Sequence, residues 1–248
     1  MALEKKQIKE VKKKSKRRDR RFGRKIGKRR KETGVDLSRG GYVKEFATEE
    51  QWIPKTSLGM KVYNGEIKTI DEVLESGKPI REPEIVDRLL PNLDSEIVYD
   101  LRVQRVTMNG RVMRYKVTVV VGNRDGYIGI GHGKAKEKPI AIRYAIADAK
   151  KNIKKIERGC SSWFCNCGKP HTVPYKVTGE CGSVRVTLIP ASAGTGLVAS
   201  PVVKKVLELA GISDIYVYTE GHTRTSMNLA AATIDGLVKA TQFKKLSG

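Results

Sequence analysis

Hydrophobic and polar positions alternate along residues 97–122, "IVYDLRVQRVTMNGRVMRYKVTVVVG", in two runs split by Asn109-Gly110. A period of two sends successive side chains to opposite faces of a strand, and Asn-Gly suits the positive φ angles of a two-residue hairpin turn. The pattern predicts a β-hairpin. In its second strand Met113, Tyr115, Val117, Val119 and Val121 share one face, and Arg114, Lys116 and Thr118 share the other. The first face reads as core, whereas the second offers cations. The glycine-studded "GNRDGYIGIGHGKAKE" predicts a turn and a third short strand over 127–130. The period then changes: Ile142, Ala145, Ile146, Ala149, Ile153 and Ile156 recur at helical spacing, predicting an amphipathic helix with Lys150, Lys151, Lys154 and Lys155 at its C-terminal end. The predicted unit is three strands packed by one helix.

Upstream, "TIDEVLESG" carries the marks of a short helix, with Thr69 and Glu72 as a capping box and Gly77 as a stop. Another is predicted over 84–90, bracketed by Pro83 and Pro91. Such small pieces hold few apolar residues and read as a segment that wraps other surfaces. Downstream, "GSVRVTLIPA" alternates as a strand, Ser200-Pro201 opens a helix that Gly211 ends, "DIYVYTEG" reads as another strand and "SMNLAAATIDGLVKATQ" as a last helix. Strands alternating with helices predict a second, small α/β layer. The overall expectation is an α+β chain.

Charge changes this picture at the front. Of the formal net charge of +22, residues 1–31 carry +14, residues 35–96 reverse to −5 and residues 97–248 return to +14. A solvated charge run is the ordinary reading of a Lys-rich stretch. However, "KKKSKRRDRRFGRKIGKRRK" repels itself and has too few apolar residues to fold alone, so it reads as a disordered tail ordered by a polyanion, most simply RNA phosphates. Ile8, Val11, Phe22 and Ile26 make a poor apolar face for a lipid surface. No stretch has the length of a membrane span, and the basic start lacks the apolar core of a secretory signal, so a cytoplasmic location is expected.

Catalytic and nucleotide-binding motifs fail on spacing. Lys134 is followed by Ala135, which breaks the P-loop pattern, and Gly129-x-Gly131-x-Gly133 is one residue short of a dinucleotide fingerprint. The glycines read instead as places where backbone approaches a phosphate chain, with Arg124, Lys134, Lys136 and Lys138 around them. His132, His171 and His222 fit no triad or paired-carboxylate spacing, and no enzyme chemistry is expected. Cys160, Cys165, Cys167 and Cys181 are spaced C-x4-C-x-C-x13-C with His171 between them. A cytosolic setting argues against disulfides, and the lack of C-x-x-C argues against a redox pair. A structural zinc site made by the four thiols, with His171 as alternative ligand, and four reduced, partly buried thiols both remain open readings.

The stretch "GRVMRYKVTVVVGNRDGYIGIGHGKA", with Gly110-Arg111, Tyr115, Val117, Gly122-Asn123, Gly126, Ile128-Gly129, Gly131, Gly133 and Lys134, resembles the signature of the universal small-subunit ribosomal protein family numbered five in bacteria and two in eukaryotes. "KPHTVPYKVTGECGSVRVTLIPASAGTG" resembles its second half, and the segment from Glu50 to Pro91 and the cysteines of "GCSSWFCNCG" look like the archaeal branch. The resemblance implies a double-stranded-RNA-binding-like domain of three strands and a helix, followed by a small C-terminal α/β domain. It also implies binding to small-subunit rRNA near the decoding region and the messenger entrance, beside neighbouring ribosomal proteins, in support of assembly and translational accuracy. Carried over by position, the hairpin tip gives Arg105, Asn109 and Arg111 as rRNA contacts; Arg114, Lys116, Asn123, Arg124, Lys134, Lys136 and Lys138 complete the candidate set.

The expected organisation is a basic tail over 1–34, a wrapping extension over 35–93, the RNA-binding-like domain over 94–157, a Cys-rich linker over 158–182 and the α/β domain over 183–248. In the linker Pro170 and Pro174 stiffen the chain, and the thiols pin it. The rival reading is a free RNA-modifying or RNA-unwinding enzyme built on the C-terminal layer, which would reveal itself by turnover.

Overall fold

The computed structural model describes residues 52–160, 165 and 167–245, with side chains to 242. The basic tail and residues 35–51 of the expected wrapping extension lie outside the described residues. Three short helices come first: α1 (Ser57–Asn64), α2 (Ile70–Glu75) and α3 (Glu84–Leu89). Nothing in the sequence pattern anticipates α1, yet its ends are well made: the Thr56 side chain accepts the Gly59 N–H at 3.0 Å, and Gly65 at φ +80° closes it. In α2 the Thr69 hydroxyl bonds the Glu72 carboxylate at 2.9 Å, which replaces the expected bond to the backbone.

These helices bury Leu58, Val62, Ile70, Val73, Ile80, Ile85 and Val86 among themselves, together with Ile153. The segment therefore has a small core of its own as well as lying on another surface. Glu82 ties its start together, accepting the N–H groups of Lys55 and Thr56 and the Trp52 indole N–H. Burial opposes ionisation of Glu82, but these donors outweigh it and hold its pKa below the ordinary value.

The first sheet has the order β1 (Asp94–Thr107), β2 (Gly110–Gly122), β3 (Tyr127–Ala135) and β4 (Ile153–Lys155), all antiparallel. The hairpin forms as predicted, but its two loop residues are Met108 and Asn109 rather than Asn109 and Gly110, and the positive φ falls on Gly110 alone, at +113°, as the first residue of β2. Its outer half projects beyond β3 into solvent: Val106 is 71% exposed, and Met113 and Val112 are exposed as well. Met113 therefore lies on the predicted core face without entering the core.

Helix α4 (Lys138–Lys151) covers one face of this sheet. It ends at Asn152, before the apolar spacing runs out. Ile153, Lys154 and Lys155 are strand, paired with Gly129, Ile128 and Tyr127 respectively. Helix and edge strand both want one buried residue at this point, and the ladder with β3 decides between them.

The second sheet has the order β5 (Val177–Cys181), β6 (Val184–Pro190), β8 (Ile215–Gly221) and β7 (Leu197–Val198), with β7 and β8 parallel. Helix α5 (Pro201–Ala210) joins β7 to β8, and α6 (Ser226–Lys245) packs against β5 and β6. The backbone meets there without side chains between, since a Cβ on Gly179 would lie 2.3 Å from Gly236 N.

Val120 and Ile128 of the first sheet and Ile156 just after β4 share one core with Val184, Val186, Leu188 and Ile215 of the second sheet and Leu207 and Leu209 of α5. Each such fully buried side chain contributes about 1.5–3 kcal/mol of burial free energy. The β2–β3 turn caps α5 from outside. Arg124, at φ +57°, donates its N–H to Leu209 O at 2.9 Å, and Gly126 donates to Ala210 O at 3.2 Å. Arg158 completes the joint by reaching Arg124 O, Gly211 O and the Asp125 carboxylate. Among the described residues no helix is long and apolar enough to cross a membrane.

A basic strand face and a thiol–histidine cluster

Directly opposed residues of neighbouring strands lie on the same face of a sheet. Val117, Val119 and Val121 oppose Gly133, Gly131 and Gly129, and this face meets α4. A Cβ on Gly129, Gly131 or Gly133 would lie 2.3, 2.1 or 2.0 Å from the backbone of Ala149, Ala149 or Ala141. The glycines expected to admit a phosphate chain thus admit a helix instead. The close approach inferred from the sequence is real, but its partner is protein.

The other face is divided between two uses. At Val120, Gly122 and Ile128 it is covered by α5 and the shared core, where a Cβ on Gly122 would lie 2.4 Å from Leu209 O. Beyond Thr118 and His132, whose Oγ1 and Nδ1 lie 3.1 Å apart, it is open. Lys116 stands directly opposite Lys134 there, followed on β2 by Arg114 and on β1 by Arg105, which opposes Val112. Among the described residues, none of these four cations has an acidic partner within ion-pair distance. Like charges directly opposed on a sheet repel. Burial lowers the His132 pKa; Asp148 opposes this and Lys116 adds to it.

The remaining candidates are placed differently. Arg111 is exposed on the opposite face of the ribbon, and Asn109 is exposed at its tip. Lys136 is exposed just after β3, whereas Lys138 is paired with Asp100. Asn123 and Arg124 lie at the far end of β2. The Asn123 side chain accepts the N–H groups of Asp125 and Tyr127, and Arg124 reaches Asp94 at 3.1 Å. Arg124 also borders an open cleft of about 380 Å³ with Leu197, Glu208, Gly211, Ile212 and Ser213.

The second site is built by a single backbone bridge. Gly159 and Thr172 exchange both N–H···O bonds, at 2.8 and 3.0 Å, which sets Cys160 beside His171. Cys165 and Cys167 complete the group. Cys165 Sγ lies 3.0 Å from Cys167 Sγ and 3.4 Å from His171 Nε2, and Cys167 Sγ lies 3.6 Å from Cys160 Sγ. All four donor atoms fall within 4.8 Å of one another, so this cluster can hold a metal ion. Cys181, expected from the sequence as the fourth thiol ligand, ends β5 and is not among them, and His171 takes that place.

Hydrogen bonds from Cys167 and from the backbone at Ala193 pull the Cys165 thiol down to about 6, whereas burial and the neighbouring thiols push Cys160 up to about 11. Asp214, absent from the sequence expectations, lies behind the imidazole, with Oδ2 2.9 Å from His171 Nδ1. Burial raises its pKa, but the Gly196 N–H, the Ser213 hydroxyl and His171 outweigh this and hold it below the ordinary carboxylate value.

Known proteins resemble the chain over both sheets. The family model described as ribosomal protein S5, N-terminal domain, matches residues 93–157, and that described as ribosomal protein S5, C-terminal domain, matches 179–247. The chain is 54% identical over 190 residues to the small ribosomal subunit protein uS5 of Methanothrix thermoacetophila, covering 77% of this chain and 94% of that one. It is 54% identical over 200 residues to the protein of the same name from Methanospirillum hungatei, covering 81% and 97%. With that of Thermofilum pendens the identity is 52% over 193 residues, covering 78% and 96%.

Proposed function

The chain belongs to the ribosomal protein S5 family, and from that premise we propose that it is a structural, RNA-binding constituent of the small ribosomal subunit, working in the cytoplasmic ribosome beside rRNA and other ribosomal proteins. The family is a structural one and not a family of enzymes. The finer reading is that the chain grips small-subunit rRNA near the decoding region and the messenger entrance, and supports assembly and accuracy.

The observation that carries the RNA-binding reading is the opposed pair Lys116 and Lys134, with Arg114 and Arg105 on the same open face. A sheet that sets like charges against each other without acids to pair them is ready for a polyanion. Phosphates satisfy it, the Lys and Arg side chains releasing the cations condensed on the nucleic acid, and the interaction is sequence-independent. Arg111, Asn109 and Lys136 extend the grip around the ribbon's tip and edge. The test is the salt dependence of binding to small-subunit rRNA. Neutralising Arg114, Lys116, Lys134 and Lys136 should lower the slope of log affinity against log salt by roughly 0.7–0.9 for each phosphate that is no longer neutralised. An unchanged slope counts against this face.

For the cluster we propose structural zinc held by Cys160, Cys165, Cys167 and His171. Three soft thiolates and an imidazole suit Zn²⁺ over the hard cations. The Cys160–Cys167 Sγ separation of 3.6 Å lies close to the roughly 3.8 Å expected between sulfurs of a tetrahedral site with Zn–S bonds of about 2.3 Å, and the 3.0 Å between Cys165 and Cys167 would have to open on binding. Bound zinc would displace the thiol protons and cross-link a segment that has little core of its own. Metal analysis of the purified chain should return one zinc per chain, and a content far below that removes the reading.

A further inference from the structure

Resting on the zinc reading above, we propose that Asp214 is the positioning residue for His171, fixing which ring nitrogen faces the metal and coupling metal loading to the second sheet. The two side chains are each only 9% exposed. Asp214 sits in the connection from α5 to β8 and is itself held from two sides: Oδ1 accepts the Gly196 N–H at 2.8 Å, and Oδ2 accepts the Ser213 hydroxyl at 3.1 Å. The same connection grips the histidine backbone, since Ser213 and Asp214 donate their N–H groups to His171 O at 3.0 and 3.2 Å. Ring and main chain of the fourth ligand thus answer to one loop.

A neutral imidazole carries one proton, and its neighbours decide where. With a carboxylate 2.9 Å from Nδ1, the proton belongs on Nδ1, and the lone pair of Nε2 is left facing the thiols. That is the form a metal requires, and an outer carboxylate also makes the ring a stronger donor. Nδ1 is buried and makes no aligned hydrogen bond, so its approach to Asp214 is close but incomplete. A ligand that fixes the ring through Nε2 gives this buried atom a settled partner.

Asp214→Asn is the informative variant because it is isosteric. If its amide oxygen keeps the Gly196 N–H, its NH₂ group faces Nδ1 and forces the ring proton onto Nε2, where it blocks the metal. Zinc affinity of the full chain, measured by competition with a chromophoric chelator, should fall about 10–100-fold in Asp214→Asn. Nitrogen-15 shifts of His171 in the metal-free chain should move the proton from Nδ1 to Nε2. Asp214→Ala should lose affinity on a similar scale. In a His171→Ala background, where there is no ring to orient, neither change should alter the affinity that remains. Equal losses in both backgrounds, or unchanged affinity in Asp214→Asn, overturn the role given to Asp214 and leave the zinc reading standing. A wild-type chain that takes up no zinc overturns the zinc reading itself.

Discussion

A Cβ on Gly133 would lie 2.0 Å from Ala141 O and 2.6 Å from Ala145 N, distances that only a shift of the strand or of α4 can relieve. Gly133→Ala should therefore cost about 1–3 kcal/mol or more of stability, visible as a lower urea midpoint with the slope unchanged. The spacing of these glycines was legible in the sequence, but which body comes close to them was not. Glycine removes a side chain without saying which side of the strand is approached. The metal ligands show the same limit. The spacing of the cysteines selects a cluster but leaves Cys181 and His171 interchangeable, and the choice is made by the pairing of Gly159 with Thr172. Asp214 carried no local signal at all, because its relation to His171 depends on the second sheet being folded.

At the level of elements, the hairpin and α5 were the most legible, since each carries both a periodic face and punctuation at its ends: Asn109-Gly110 for the one, Pro201 and Gly211 for the other. The end of α4 was not, because Ile153 satisfies a helical period and a short edge strand equally well. That strand matters to the N-terminal helices. Asp71 of α2 bonds the Tyr127 hydroxyl at 2.8 Å and the Lys155 ammonium at 2.7 Å, and Asp87 of α3 bonds Lys150 at 2.8 Å. Burial, then the bond to Asp71, pushes the Tyr127 phenol up to about 12. The folded value is above the unfolded one of about 10, so this contribution is fully present below pH 10 and is lost as pH rises toward 12. Thermal melts should show wild type above Tyr127→Phe near neutrality, with the gap closing across that alkaline window. A gap independent of pH would mean that the hydroxyl is not the group that docks the helices.

For the molecule as a whole, the shared core should make the two sheets unfold together. Arg158 is the polar part of that joint, with its side chain 20% exposed and its guanidinium directed at carbonyls from both sides. Arg158→Ala should lower stability by about 0.5–1.5 kcal/mol, because it removes a donor from the half-buried Gly211 O, whereas Arg124 O and the Asp125 carboxylate are exposed and can bond water. The transition should stay single, with circular dichroism and tryptophan fluorescence coincident. Two separated transitions would show that the sheets are held by Arg158 more than by Val120, Ile128 and Leu209.

The standoff between Lys116 and Lys134 has one more effect, felt before any nucleic acid arrives. Two ammonium groups facing each other across a strand pair weaken the ladder that carries them, and dissolved ions shield that quarrel. Concentrated brine should make the isolated chain sturdier while loosening its hold on RNA, so the solution in which it is most robust alone is the one in which it clings least.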